Sequence, residues 1–274
     1  MTILDGKTLS VKILSTLASK IPPRNSIRLD VVLIGDNLAS QKYVAQKEKI
    51  AQKLGFNCQI HRLPASTNTV TVLNKVHLLN RDPDSTAIMV QLPLPSQLNT
   101  LSIINAVDPK KDVDGLSATN LGLLFQNSPK AIVPATPRGI IDLLSAHNIP
   151  LAGKNAVIIG RSSVVGLPLL ALLKNQDVTV TLCHSKTQDL SSICSQADIL
   201  ISATNKPNLV TADFVKDGAV VVDVGYPAGD VDFSAVSLKA SFITPVPGGV
   251  GPMTIASLFQ NLFTIYQNQQ KHAK

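Results

Sequence analysis

The chain has no tryptophan, and only 4% of its 274 residues are aromatic. Without rings to interleave with its cations, and with lysines and arginines dispersed in runs of no more than two, it lacks the stacking platform and basic stripe of a nucleic-acid binder. Cysteine is scarce. Cys58, Cys183 and Cys194 show no metal-ligand spacing and cannot all pair with one another, which fits a reducing compartment. No apolar run approaches the ~18 residues that span a bilayer. Met1-Thr-Ile-Leu-Asp-Gly-Lys7 has neither a signal-peptide core nor an arginine-rich transit pattern, so no membrane association and a cytoplasmic location are expected. There is no Walker A loop and no G-x-S-x-G elbow. None of His61, His77, His147, His184 and His272 stands beside an evident acid and nucleophile, so all five read as ordinary. Acidic residues number 18 against 25 basic ones, a net charge of +7. That excess suits anionic small molecules, or equally a solvated surface with no partner.

What is present is a large apolar fraction, 45%, enough for two ordinary domains or one large one. The most informative stretch is Ala156-Val-Ile-Ile-Gly160-Arg-Ser-Ser-Val-Val-Gly166-Leu-Pro168. A β-branched run ends in glycine, a polar turn follows, and leucines then take helical spacing. Such a strand, turn and helix presents free N–H groups at a helix N-terminus, where a pyrophosphate is favoured. The match to G-x-G-x-x-G is imperfect, because Arg161 and Ser162 fill the place of a second glycine. Residues 178–182, 198–202 and 219–223 are further buried-strand runs, and four strands in βα alternation predict a parallel sheet. The second strand ends in Cys183-His184-Ser185-Lys186. No carboxylate stands there to repel a 2′-phosphate, so NADP is expected over NAD, with Ser185, Lys186 and Arg161 as donors or, for the two cations, simply as surface charge.

In the first half, Leu9, Ile13, Leu14 and Leu17 predict a helix over 7–20, stopped by Pro22 and Pro23. Strands are expected over 29–34, 56–63 and 87–91, and a helix over 69–79. Residues 38–54 read as a helix whose apolar arc carries Val44, Ile50, Ala51 and Leu54, opposite Lys42, Lys49 and Lys53. Tyr43 and Lys47 fall inside that arc. An inward ammonium costs several kcal/mol unless it is paired, ligand-facing or neutralised, so Lys47 is the leading candidate for chemistry. Gln91 ends its strand at the edge where ligands of open α/β sheets gather, and could orient a substrate amide or hold Lys47. Asp112-Val-Asp114-Gly115 is either turn chemistry or a bidentate acceptor for an amino-pyrimidine edge. It does not read as a calcium loop, because Leu116 takes the next ligand position and no glutamate closes the loop, and no metal is expected. Pro134-Ala-Thr-Pro137 precedes a helix over 138–148. Pro245-Val-Pro-Gly-Gly-Val-Gly-Pro-Met-Thr254 opens a final amphipathic helix over 253–266.

Taken together, Tyr43-Val-Ala-Gln-Lys47, Val90-Gln91-Leu-Pro-Leu-Pro95, Asp112-Val-Asp114-Gly115, Gly160 to Pro168 and Pro245 to Thr254 resemble the methylenetetrahydrofolate dehydrogenase/cyclohydrolase family, in order and across nearly the whole chain. The resemblance implies two α/β domains with a cleft between them: residues 1–138, completed by helix 252–274, for the folate, and a Rossmann-like parallel sheet over 139–251 for NADP. It implies oxidation of 5,10-methylenetetrahydrofolate with NADP, hydrolysis of the methenyl product to 10-formyltetrahydrofolate, and a homodimer. By motif, Lys47 would serve the hydrolysis, Tyr43 would position the pterin, and Gln91 would orient the lysine between Val90 and Leu92, which would also line the folate. Either Asp112 or Asp114 would hold the pterin edge. Pro247, Gly248, Gly249, Gly251, Pro252 and Thr254 would line folate and nicotinamide; Gly160, Arg161, Ser162, Ser185 and Tyr226 would meet NADP. Ala135, Asn205 and Tyr226 depart from the usual residues, cysteine, glycine and a small aliphatic respectively, and the segment after Tyr226 is shortened. Rival readings are a two-domain NADP oxidoreductase of shikimate-dehydrogenase type and a non-catalytic NADP sensor; neither accounts for Lys47, Gln91 and the Pro247 loop together.

Overall fold

The computed structural model describes residues 1–22 and 27–272, without the His272 side chain. Pro23 and the His272 side chain therefore lie outside the described residues. In chain order the first half holds β1 (Thr2–Ile3), α1 (Gly6–Ala18), β2 (Arg28–Ile34), α2 (Leu38–Leu54), β3 (Asn57–Leu63), α3 (Thr69–Arg81), β4 (Ala87–Val90), α4 (Thr100–Ala106) and α5 (Ala118–Phe125). The second half holds α6 (Ala135–Ala146), β5 (Asn155–Ile159), α7 (Gly166–Lys174), β6 (Thr179–Cys183), α8 (Leu190–Cys194), β7 (Ile199–Ser202), β8 (Val220–Asp223), α9 (Phe233–Val236), β9 (Phe242–Ile243) and α10 (Val250–His272), with one 3-10 turn at Ala212–Phe214. Two compact units result. One comprises residues 13–122, 130–133 and 258–274, the other residues 1–12, 123–129 and 134–257.

The first unit is a three-stranded sheet in the order β3-β2-β4, parallel throughout. The expected strands and helices of this half are present within a few residues of their predicted ends. Val32, Ile34, Val72, Val76, Ile88 and Val90 pack on one sheet face, which removes their β-branched side chains from water at roughly 1.5–3 kcal/mol each. The end of α10 belongs to this unit: Phe259 stacks on Phe56 with centroids 5.7 Å apart, and Asn261 Nδ2 donates to the Val113 and Val133 carbonyls at 2.9 and 2.8 Å.

One pairing in this unit goes beyond what the sequence shows. His61, read as ordinary, places Nε2 2.7 Å from Asp30 Oδ1, and Arg28 Nε donates to Asp30 Oδ2 at 2.9 Å. Asp30 is fully buried, and a buried carboxylate left unpartnered would cost several kcal/mol. The parallel register sets Asp30 opposite Gln59 and Val32 opposite His61, so the pair forms across neighbouring strands.

The second unit is a six-stranded parallel sheet, β1-β9-β8-β7-β5-β6. The four predicted strands form its middle and one edge. The other two, β1 and β9, have two residues each, too few to carry a periodicity. Thr2–Ile3 pairs with Phe242–Ile243. Helix α6 starts at Ala135 rather than at residue 138, with Pro137 in its first turn, where a missing N–H costs nothing. Helix α10 is longer than expected at both ends.

Candidate active site

Helix α2 carries the centre of the first unit. Asn37 caps it, accepting from the Ser40 N–H at 3.0 Å, and Gly55 closes it in the left-handed region at φ 81°. Between those stops, Ser40, Val44, Lys47 and Ala51 turn inward, while Lys42, Lys49 and Lys53 are exposed. Lys47 is only 8% exposed. Its Nζ donates to Gln91 Oε1 and to Met89 Sδ, each at 3.1 Å. Gln91 stands one residue past β4 and is itself held, its Nε2 donating to the Leu92 carbonyl at 2.6 Å. Its Oε1 is thus aimed at the lysine. Tyr43 lies half-buried one turn before Lys47. Burial pushes the Lys47 ammonium below the ordinary lysine range, and the negative charge of Asp114 partly offsets that fall.

The two aspartates the sequence left undivided do different work. Asp112 is buried and spent on its own turn: it accepts from the Gly115 N–H at 3.0 Å, the Ser117 N–H at 2.8 Å and Asn120 Nδ2 at 3.0 Å. Asp114 is half-buried, and its carboxylate has no hydrogen bond among the described residues. Burial raises it to about 6, against the opposing charge of Lys47. Asp112→Asn is accordingly expected to lower stability by ~1–3 kcal/mol through lost buried bonds, whereas Asp114→Asn should leave the melting temperature nearly unchanged. Thermal unfolding of the two variants decides this; a larger loss for the Asp114 variant would reverse the assignment.

Two further groups at this centre escaped the sequence reading. Met89 read only as strand core. Ser40 lies two helical turns before Lys47 on the same face, and its buried hydroxyl has no hydrogen-bond partner among the described residues. A small polar residue inside the apolar arc at i, i+7 spacing was the signal available for it.

In the second unit the glycine turn between β5 and α7 is tightly closed. A Cβ on Gly166 would lie 1.9 Å from the Gly160 carbonyl oxygen, and one on Gly160, at φ 124°, would lie 2.5 Å from the Ala203 carbonyl oxygen. Ser162 Oγ accepts from the Val165 N–H at 3.2 Å, and no side chain caps the start of α7. Leu167 N–H is taken by the Ser162 carbonyl at 3.0 Å and Pro168 has no N–H, so of the first-turn donors Gly166 N–H is the one left for an anion. Arg161, Ser185 and Lys186 are exposed around the ends of β5 and β6. The residues fit a dinucleotide: the backbone closes tightly where Cβ atoms are absent, Gly166 N–H opens the helix, and residues 184–186 directly after β6 hold no carboxylate.

The loops beyond β7 and β8 are fixed by two acids. Asp230, fully buried, accepts from Ser202 Oγ at 2.8 Å and from the Thr204 and Lys206 N–H groups at 2.7 and 2.9 Å. Asp223 accepts from the Gly225 and Asp230 N–H groups at 2.8 and 2.9 Å. Two departures from the usual family residues meet here. Asn205 sits at φ 53°, a conformation that glycine or asparagine adopts most readily, and its Oδ1 accepts from the Tyr226 N–H at 3.2 Å. Tyr226 is 44% exposed. Within Pro245–Thr254, Gly249 N–H donates to the Pro245 carbonyl at 2.9 Å, and the Thr254 and Thr136 hydroxyls lie 3.0 Å apart. Among the described residues no cluster of three or more His, Cys, Asp or Glu could hold a metal ion, and no helix is long and apolar enough to cross a membrane.

Residues 4–114 match the catalytic domain of tetrahydrofolate dehydrogenase/cyclohydrolase, and residues 134–270 match that family's NAD(P)-binding domain. The bifunctional protein FolD of Campylobacter curvus is 45% identical over 283 aligned positions, covering 99% of this chain and 98% of its own. Among solved structures, the bifunctional methylenetetrahydrofolate dehydrogenase/cyclohydrolase FolD of Campylobacter jejuni superposes with a TM-score of 0.94 at 43% identity, covering 98% of this chain and 99% of its own. The Trypanosoma brucei methylenetetrahydrofolate dehydrogenase-cyclohydrolase, solved with NADP cofactor and an inhibitor, gives a TM-score of 0.93 at 33% identity, with 98% of both chains covered. With both family domains matched in order and relatives alike along their whole length, this chain belongs to the tetrahydrofolate dehydrogenase/cyclohydrolase family.

Proposed function

We propose that the chain oxidises 5,10-methylenetetrahydrofolate to the 5,10-methenyl cation with NADP and then hydrolyses that cation to 10-formyltetrahydrofolate. The observation that supports this most is the buried Lys47 amine, held by Gln91 with the uncommitted carboxylate of Asp114 acting on it. NADP, when bound, supplies the acceptor for a hydride. On the folate, the lone pairs of N5 and N10 assist departure of that hydride, so this step needs positioning more than acid-base help. Hydration is different. As a water oxygen bonds to the methenyl carbon it must lose a proton, and a neutral Lys47 Nζ can take it. The bond from the carbon to N5 then breaks, N5 is protonated, and the formyl group remains on N10.

Asp114 is assigned to the pterin donors, because Asp112 is already committed to its turn. Tyr43, Val90 and Leu92 are assigned to the folate beside it, and Pro247, Gly248, Gly249, Gly251, Pro252 and Thr254 are carried over from the motif alone. Gly160, Arg161, Ser162, Ser185 and Tyr226 are assigned to the cofactor. The preference for NADP over NAD rests on the absence of a carboxylate at residues 184–186, directly after β6, and on the exposed Arg161, Ser185 and Lys186. A homodimer and a cytoplasmic location complete the reading.

Supplying methylenetetrahydrofolate with NADP and following NADPH together with the methenyl chromophore tests the assignment. NADPH should form while the methenyl species stays low; no NADPH would refute it. The role of Asp114 adds a pH dependence. Its carboxyl is raised to about 6, so it is ionised near neutrality and protonates as pH falls through that value. The KM for folate should therefore rise below about pH 6, and Asp114→Asn should flatten that limb; a KM for folate independent of pH across this range would count against the role.

A further inference from the structure

We propose that Met89 is a positioning residue for Lys47: its thioether takes one N–H of the amine, so that the nitrogen lone pair is held in a single direction. This rests on the hydrolytic role given to Lys47 above.

Met89 and Gln91 are two residues apart along β4 and its extension, so the alternation of an extended chain sends both side chains to one face. Both reach the same atom, Met89 Sδ and Gln91 Oε1 each lying 3.1 Å from Lys47 Nζ. Met89 is 1% exposed, which keeps its sulfur away from bulk solvent. A neutral amine has two N–H bonds and one lone pair in three staggered positions about Cε–Nζ. With Gln91 alone as acceptor, the lone pair could occupy either of two positions; with two acceptors filled, only one is left. Sulfur suits this task better than oxygen. As a weak, uncharged acceptor, it orients an N–H while stabilising the ammonium less than a carboxylate or carbonyl would, and only a neutral amine has a lone pair to use.

The other groups acting on the amine are Asp114, whose negative charge favours the ammonium, and Cys58 on β3. The Cys58 thiol is pushed up to about 11 by burial, with Glu48 and Asp30 adding to the rise, and so stays neutral at physiological pH. Asp112 acts only on Asp114. Tyr43 lies one turn away on α2.

The test is Met89→Leu in the full-length protein, a swap that nearly conserves volume. Hydrolysis of supplied methenyltetrahydrofolate should lose about threefold or more in kcat with KM unchanged, as expected when an oriented group is freed. Its acid limb should move to lower pH, because an acceptor of the ammonium has gone, and NADPH formation from methylenetetrahydrofolate should not change. Met89→Gln, which offers an oxygen instead, should move the acid limb to higher pH. In selenomethionine-labelled wild type, the selenium NMR resonance of residue 89 should titrate with the lysine and cease to do so in Lys47→Met. An unmoved kcat and pH limb in Met89→Leu, a parallel fall of both activities with lost stability, or a selenium resonance flat across the lysine titration would each overturn the proposal. Lys47→Met separates the two readings: if it keeps hydrolytic activity, the role of Lys47 fails, and if it loses that activity while Met89→Leu behaves as wild type, only the role of Met89 fails.

Discussion

Lys47→Met should abolish hydrolysis of methenyltetrahydrofolate while leaving NADPH formation from methylenetetrahydrofolate in place, so that the methenyl product accumulates. Methionine keeps the length and apolar stem of lysine, and the 8% exposed site accepts an uncharged side chain without a desolvation cost. Fold and cofactor binding should therefore survive. What is lost is the nitrogen that takes a proton from water. Positioned general bases contribute about 100- to 10,000-fold, and a loss in that range is the expected result, read by decay of the methenyl chromophore in an assay without NADP. Retained hydrolysis would remove Lys47 from the mechanism. Equal loss of both activities would point to damage of the folate site as a whole. Gln91→Ala should follow in the same direction with a smaller effect, since it removes the acceptor at 3.1 Å but leaves the amine.

Gly166→Ala should produce the opposite dissociation. The added methyl carbon would stand 1.9 Å from the Gly160 carbonyl oxygen and 2.7 Å from its carbon. Both are backbone atoms that no rotamer change can move aside, so the turn must open, at a cost of at least ~3 kcal/mol on the scale of overpacked sites. With the turn open, Gly166 N–H and the turn backbone before it lose the arrangement that would receive a phosphate. NADP binding and NADPH formation should fall below detection. Hydrolysis of supplied methenyltetrahydrofolate, which consumes no cofactor, should persist at temperatures where the variant stays folded. Cofactor titration by fluorescence, with circular dichroism as the control for folding, checks this; unaltered NADP affinity would show that the turn is not the cofactor cradle.

The main elements of both sheets were legible because their strands are β-branched runs and their helices carry regular apolar arcs. The inward position of Lys47 followed from helical phase alone, since seventeen residues of α2 give enough turns to fix an arc. Other features depended on information that spacing does not contain. Thr2–Ile3 becomes a strand only because Phe242–Ile243 is there to pair with it. His61 and Asp30 meet through a register that neither strand encodes by itself. Asp112 and Asp114 look alike in sequence, and the difference between them is that the backbone of residues 115–117 and Asn120 folds onto one and not the other. Asn205 looked like an isolated departure from glycine; its φ of 53° and its bond to the Tyr226 N–H show why asparagine is accommodated and tie it to the second departure.

The most direct measurement of the central claim is the protonation of Lys47 itself, followed by nitrogen NMR of its labelled Nζ across a pH titration. Because burial outweighs the charge of Asp114, the nitrogen should deprotonate clearly below the ordinary lysine range, and the midpoint should coincide with the acid limb of hydrolysis. A Lys47 that titrates within the ordinary lysine range would contradict the account.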